Sequence, residues 1–217
     1  MTDTAERERQ QAFLLCSFPT LEFPIDWARE YRTHGHKCVV DPSMDDATFA
    51  SITLDQRYRI WSLIKGCKKP GRAIDYGSGP GRFTDLLARA VDGPAIAYDP
   101  CISLMARTEY KDSRVSFFCG DTKTLGKFEL VFVWCVLGGL KSPELERSIS
   151  EISELLAPGG MLILGDHTAA EQPKYLWQFR RPEFYPAAFE AAGIRLSVIA
   201  SIPQHKNAVT VFAGKAL

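Results

Sequence analysis

The sequence predicts an α/β fold built on a doubly wound, largely parallel sheet. Three observations carry this expectation. Short apolar runs alternate with helical periodicities between Arg72 and Gly165. The run from Glu129 to Trp134 is almost wholly apolar, as a strand covered on both faces is. The last two runs, Ile194 to Ala200 and Ala208 to Ala213, are separated by too few residues for a parallel crossover, so they must pair antiparallel.

Taken in order, Met1 to Gln10 holds almost nothing that can be buried and reads as a disordered arm. From Phe13 to Ala50 the chain is rich in aromatics, prolines and histidines without a clean period. Trp27 and Tyr31, four apart, predict a short helix near Ile25 to Arg32 within a cap on the domain. Thr53 and Gln56 have capping-box spacing, and Leu54, Tyr58 and Trp61 follow as one face of a helix to about Lys65. Gly66, Pro70 and Gly71 end it. Residues 1–50 are thus expected to form an arm and helical cap, and residues 51–217 the main domain.

The central stretch is Arg72 to Asp85, RAIDYGSGPGRFTD: a strand, a tight glycine turn and the mouth of a helix. Glycine permits positive φ and close approach to backbone, while the first turn of a helix offers unpaired N–H groups. Phe83, Leu86, Leu87 and Ala90 then mark a helix face that packs on the sheet. Ala95 to Tyr98 is a second strand, Ile102 to Tyr110 a helix, and Arg114 to Phe118 a third strand. After the fourth strand, Ser142 as N-cap and Pro143 in the first turn open a helix striped by Leu145, Ile149, Ile152, Leu155 and Leu156. Pro158, Gly159 and Gly160 close it before a fifth strand, Met161 to Gly165, and Glu183 to Ala192 is the last helix.

Composition narrows the partners. A hydrophobic fraction of 46% allows a sizeable core, and 26 basic residues balance 26 acidic ones, so no global field draws in nucleic acid or an anionic membrane. The six cysteines show neither CxxC nor compact spacing, which argues against a zinc site and a disulfide framework. The apolar stretch Ala12 to Leu15 is too short to span a bilayer. A cytoplasmic protein with no membrane partner and no metal is expected.

Asp75, Asp99 and Asp121 stand at the ends of three successive strands, and those ends share one edge of a doubly wound sheet. A dinucleotide fingerprint, GxGxxG, needs a third glycine at position 82; Arg82 is there, and Gly77, Gly79 and Gly81 give GxGxG instead. A carboxylate at Asp75 suits a ligand with an ammonium group better than a pyrophosphate. Asp99 is placed for both hydroxyls of a ribose. A ligand with an amino-acid end, a ribose and a base satisfies all three acids, and S-adenosylmethionine is such a ligand.

From about Leu54 to Leu217 the chain resembles the class I S-adenosylmethionine-dependent methyltransferases. The matching segments are AIDYGSGPG, AIAYDP, FCGDT, FELVFVWCVLGGL and ISELLAPGGMLILGD, the last with the LxPGG turn. The resemblance implies a seven-stranded Rossmann-like sheet of order 3214576 with strand 7 antiparallel. It implies Asp75 and Gly77, with Ser78, at the methionyl part, Gly79 and Gly81 at close approach to the cofactor, and Asp99 at the ribose. Pro100 follows, with Cys101 or Ile102 flanking the adenine. Asp121 would meet the adenine amino group with Thr122 beside it, and Trp134 and Cys135 would lie near the transferred methyl. Three alternatives stay open: Asp121 caps a short helix, Asp99 caps the next helix, and Trp134 is a core aromatic rather than a pocket wall.

The acceptor is less legible. The segment after the fourth strand is neither NPPY nor DPPY, and no Pro-Cys pair is placed as in cytosine C5 enzymes, which points to a small-molecule acceptor and away from nucleic acid. Val136 to Leu140 replaces a VLHHL-like segment without its histidines. His167, past the fifth strand, is the candidate base, with a solvated loop histidine as the other reading. Trp27 and Tyr31 from the cap are candidate acceptor contacts. So are Trp177, Arg180, Arg181 and Tyr185 in the aromatic segment, where the two arginines could clamp an anion. Two other functions remain in play: a non-catalytic cofactor-binding partner and, against the glycine spacing, an NAD-dependent oxidoreductase.

Overall fold

The computed structural model describes residues 26–67, 70–105, 112–169, 178–205 and 207–217. Seven strands form one sheet: β1 (Ala73–Tyr76), β2 (Ala95–Tyr98), β3 (Val115–Phe118), β4 (Phe128–Trp134), β5 (Leu156–His167), β6 (Ile194–Gln204) and β7 (Asn207–Ala216). Their order is β3-β2-β1-β4-β5-β7-β6. The first five are mutually parallel, while β7 runs antiparallel to both β5 and β6. The 3214576 order with an antiparallel seventh strand is the architecture expected from the sequence.

Among the described residues six α-helices accompany the sheet: α1 (Trp27–His34), α2 (Asp46–Ile64), α3 (Thr84–Val91), α4 (Ile102–Met105), α5 (Ser142–Leu155) and α6 (Phe184–Ala191). Strand alternation sorts the core into two layers. Leu130, Phe132 and Trp134 of β4 face the side covered by α2 and α3, where Ile60, Ile64, Leu87 and Val91 pack. Val131 and Val133 face the other side, against Leu145, Ile149 and Ile152 of α5 and Phe189 of α6.

The helix before the glycine turn departs from expectation. It begins at Asp46, not Leu54, because Asp45 caps it by accepting from the Thr48 N–H at 2.7 Å. Leu54 and Tyr58, expected to be buried, are 70% and 73% exposed, and the buried row is Gln56, Ile60 and Ile64. Thr53 and Gln56 therefore make no capping box. Ser142 is likewise the first residue of α5 rather than its cap; the Glu144 carboxylate accepts from the Lys141 N–H at 3.2 Å. The β6–β7 hairpin is longer than expected, with Gln204 paired to Asn207 across its turn. The arm at Met1 to Gln10 lies outside the described residues.

Candidate active site

The glycine turn leaves β1 at the carboxyl edge of the sheet, and all three of its glycines have positive φ: 74° at Gly77, 53° at Gly79 and 73° at Gly81. Each lies where an L side chain is disfavoured. At Gly77 a Cβ would also come within 2.5 Å of Val136. The turn is tied to β2, since the N–H groups of Gly77 and Ser78 donate to the Tyr98 carbonyl at 2.8 and 2.9 Å. It is braced again by Asp99, whose Oδ2 accepts from the Gly79 N–H and whose Oδ1 accepts from the Cys101 N–H, each at 2.8 Å.

A cleft of about 840 Å³, its solvent mouth included, opens beside this turn. Asp75, Gly77, Ser78, Gly79, Asp99 and Pro100 line it from the ends of β1 and β2. Trp134 and Cys135 line it from the end of β4, and Trp27 of α1 reaches it from the cap. Gly81 closes the turn through a 2.9 Å bond from its N–H to the Ser78 carbonyl. Ten of the residues picked from sequence, Cys101 among them, thus meet in one space.

The acids there sit in an unusual electrostatic setting. Burial pushes the Asp75 carboxyl up to about 7; the neighbouring Asp99 adds to the rise, while a 2.6 Å bond from the Thr84 hydroxyl opposes it. Burial also raises Asp99, against the two backbone N–H groups that favour its charged form. A cationic group in the cleft would ionise both acids.

Against known proteins, the model of a methyltransferase domain family matches residues 54–192. The chain belongs to that family. No curated protein matches it in sequence. Among solved structures, it is similar to an S-adenosylmethionine-dependent methyltransferase of Leishmania major, at 17% identity and a TM-score of 0.65 over 87% of this chain and 81% of that one. It is also similar to DhpI in complex with S-adenosylhomocysteine, at 18% identity and a TM-score of 0.61 over 97% and 96% of the two chains. A third is CalO1, a methyltransferase in calicheamicin biosynthesis, at 16% identity and a TM-score of 0.62 over 100% and 70%. The methyltransferase is of the class I type, and S-adenosylmethionine is the cofactor its residues fit. The positive-φ glycines open the backbone to close approach, and two carboxyls, Asp75 and Asp99, are buried beside them.

Other expected residues of this methyltransferase sit elsewhere. Asp121 is exposed and does not line the cleft; its Oδ1 accepts from the Lys123 N–H at 3.0 Å and caps the single turn Thr122–Thr124. Thr122 is buried beneath that turn. Ile102 is 64% exposed, whereas Cys101 lines the cleft. Trp134 is both wall and core: it lines the cleft, stacks on Phe132 at 5.8 Å between centroids, and lies over Gly165, where a Cβ would meet the indole. Tyr31 is buried under the cap with its hydroxyl 3.4 Å from His36 Nε2.

The expected catalytic His167 is not brought to the cleft. It is the last residue of β5, only 4% exposed, and both ring nitrogens are engaged: Nδ1 with the Ala208 carbonyl at 3.0 Å and Nε2 with the Gln204 amide nitrogen at 3.1 Å. Nor is Arg180 a clamp for an acceptor. Its guanidinium donates to the carbonyls of Leu137 and Leu140 and to Gln178 Oε1 at 2.8, 3.0 and 2.9 Å, pinning the loop after β4. Tyr185 is wholly buried in the core, Arg181 is exposed to solvent, and Trp177 lies outside the described residues.

The residue that sequence reading passed over is Arg82, noted only as the side chain that breaks a dinucleotide fingerprint. It lines the cleft, with its guanidinium over the Phe83 ring at 4.8 Å. One terminal nitrogen, Nη2, donates to Thr53 Oγ1 at 3.1 Å and Gln56 Oε1 at 2.5 Å, and its Nε has no hydrogen-bond partner among the described residues. Burial lowers it to about 10. Its position one residue past the last glycine was the available signal, because a side chain there is within reach of whatever the turn holds.

Proposed function

We propose that this methyltransferase moves a methyl group from S-adenosylmethionine to an oxygen or nitrogen of a small metabolite. One observation carries the small-molecule part: Trp27 of α1 and Val39 of the following 3-10 turn (Gly35–Val39) line the same cleft as the glycine turn, so the cap walls the cofactor site. A compact acceptor fits beneath such a cover; a duplex or a folded protein surface does not. Residues 1–50 are read as the arm and cap and residues 51–217 as the methyltransferase domain.

When bound, S-adenosylmethionine supplies a methyl on a sulfonium, whose positive charge is lost as the methyl passes in line to the acceptor. Asp75 and the Gly77 backbone are read as holding the amino-acid end, with Arg82 available to its carboxylate, and Asp99 as accepting from the ribose hydroxyls. Trp134, Cys135 and Val136, at the end of β4, are read as the wall facing the acceptor. The work of these residues is positioning and exclusion of water. Burial raises the Cys135 thiol well above its ordinary value, with Asp166 adding to the rise, so it stays protonated and packs as an apolar group. An acceptor that already presents a lone pair suits this site, because the acids lining it are held by Thr84 and by backbone N–H groups. Arg180 is committed to the Leu137–Leu140 loop, so the expected preference for an anionic acceptor is not carried forward.

A second reading, a cofactor-binding partner without turnover, is favoured by the withdrawal of His167 from the cleft. Incubation with methyl-labelled S-adenosylmethionine and a fractionated metabolite extract separates the two. Label in the low-molecular-weight fraction supports the proposal; label only in protein or nucleic acid, or none while S-adenosylhomocysteine still binds, overturns it.

A further inference from the structure

A chain of buried polar side chains links the expected base to the cleft without entering it. The Ala208 carbonyl can only accept, so His167 Nδ1 carries the proton and Nε2 is bare. The bare Nε2 accepts from the Gln204 amide NH₂ at 3.1 Å. That orientation turns Gln204 Oε1 toward Gln56, whose NH₂ donates to it at 2.7 Å. Gln56 Oε1 then accepts from Arg82 at 2.5 Å. Gln56, Gln204 and His167 are 0%, 4% and 4% exposed, so water cannot substitute for any partner.

We propose that His167 is a positioning residue for Arg82: through Gln204 and Gln56 it sets the direction of every hydrogen bond in a chain that ends on the guanidinium lining the cleft. The chain has one consistent direction. A proton added at Nε2 turns that atom into a donor, and Gln204 must then rotate its amide to present Oε1. Gln56 has to rotate in turn, and its NH₂ then faces the Arg82 N–H groups, donor against donor. Arg82 then loses Gln56 as an acceptor and keeps only Thr53 Oγ1, so the guanidinium is held less firmly at the cleft.

His167 is faced by few other groups. Asp166 on its own strand accepts from the His167 backbone N–H at 2.8 Å, and Arg180 lies beyond Asp166. The Phe179 ring packs at 5.3 Å, and the Cys135 thiol approaches Gln204 Oε1 at 3.9 Å. The Gln204 amide and the Ala208 carbonyl complete the surroundings from β6 and β7.

The proposal rests on the cleft being the cofactor site only for its effect on binding, and the test separates the two. Nitrogen-15 NMR of the unliganded protein at about pH 8 is expected to show His167 protonated at Nδ1. The Arg82 Nε–H resonance is expected to shift in His167→Leu, which removes the acceptor for the Gln204 amide, but not in His167→Gln, whose side chain keeps one. Gln56→Leu, which cuts the chain elsewhere, should shift it as well. A proton on Nε2, or an Arg82 resonance that His167→Leu and Gln56→Leu leave unmoved, overturns the proposal. Calorimetry with S-adenosylhomocysteine at about pH 8 is expected to show His167→Leu binding about tenfold more weakly than His167→Gln. Asp75 contributes equally to both, so equal affinities overturn the proposal. If S-adenosylhomocysteine fails to bind at any pH, the cofactor reading falls and the NMR result decides the relay alone.

Discussion

The Asp99 carboxylate accepts from the Gly79 N–H at 2.8 Å, so the acid at the end of β2 holds the glycine turn at the end of β1 in shape. One side chain thereby serves two neighbouring strands, since its other oxygen accepts from Cys101. Replacement by alanine orphans the buried Gly79 N–H and the half-buried Cys101 N–H, and removes the carboxylate proposed to meet the ribose. Asp99→Ala is expected to lower the melting temperature and to weaken S-adenosylhomocysteine by roughly 1 to 3 kcal/mol, measured by thermal unfolding and calorimetry. Unchanged values in both would refute the bracing role and the binding role together.

Gly77 has φ of 74° and stands against Val136. Gly77→Ala should destabilise the fold by about 1 to 3 kcal/mol from backbone strain, with the contact adding more. Val136→Ala in the same chain removes the contact and leaves the strain, so the double variant is expected to recover part of the loss in denaturant unfolding. Full recovery would mean that φ at this position is not strained.

Asp75 keeps its proton up to about pH 7 in the folded chain, whereas an unfolded aspartate loses it near about 3.9. Between those values the folded state holds more protons, so this residue's contribution makes stability fall as pH rises and flat below about pH 4. The wild type should lose stability relative to Asp75→Asn across that window in urea titrations. If Asp75 meets the ligand ammonium as proposed and is ionised by it, cofactor binding near about pH 6 should release protons, read from calorimetry in buffers of different ionisation enthalpy. A wild type whose slope matches Asp75→Asn would show that the carboxyl is already ionised.

Arg180 makes three hydrogen bonds from a buried position, two to the loop that walls the cleft. Arg180→Met is expected to cost about 3 kcal/mol and to speed amide exchange at Gly138 to Leu140; Arg180→Lys should not restore it, because one ammonium cannot span both carbonyls. Unaltered stability with weakened acceptor binding would return Arg180 to the role of a clamp.

The sheet was legible because its signals are local. β2 was bounded by its apolar run, and the antiparallel end followed from the short connection between β6 and β7. The cleft's acids were legible because a doubly wound topology brings strand ends together. What escaped notice depends on partners far apart in sequence. Gln56 is buried because Gln204, 148 residues away, and Arg82 satisfy its amide, so the row of Gln56, Ile60 and Ile64 turns inward and Leu54 and Tyr58 turn out. Arg180 reads as a clamp for an acceptor until the carbonyls of Leu137 and Leu140 are seen beside it. His167 stands at the expected edge of the sheet, but the hairpin that encloses it cannot be placed from spacing alone.

The indole of Trp134 lies across Gly165 on the adjacent strand, and no side chain larger than hydrogen fits beneath it. Any side chain added there has to displace the ring, which lines the cleft. The room left for an acceptor can therefore be set from underneath the floor, by one position that touches neither cofactor nor substrate. Among relatives, a change of substrate size could arise at this strand while every residue of the pocket wall stays the same.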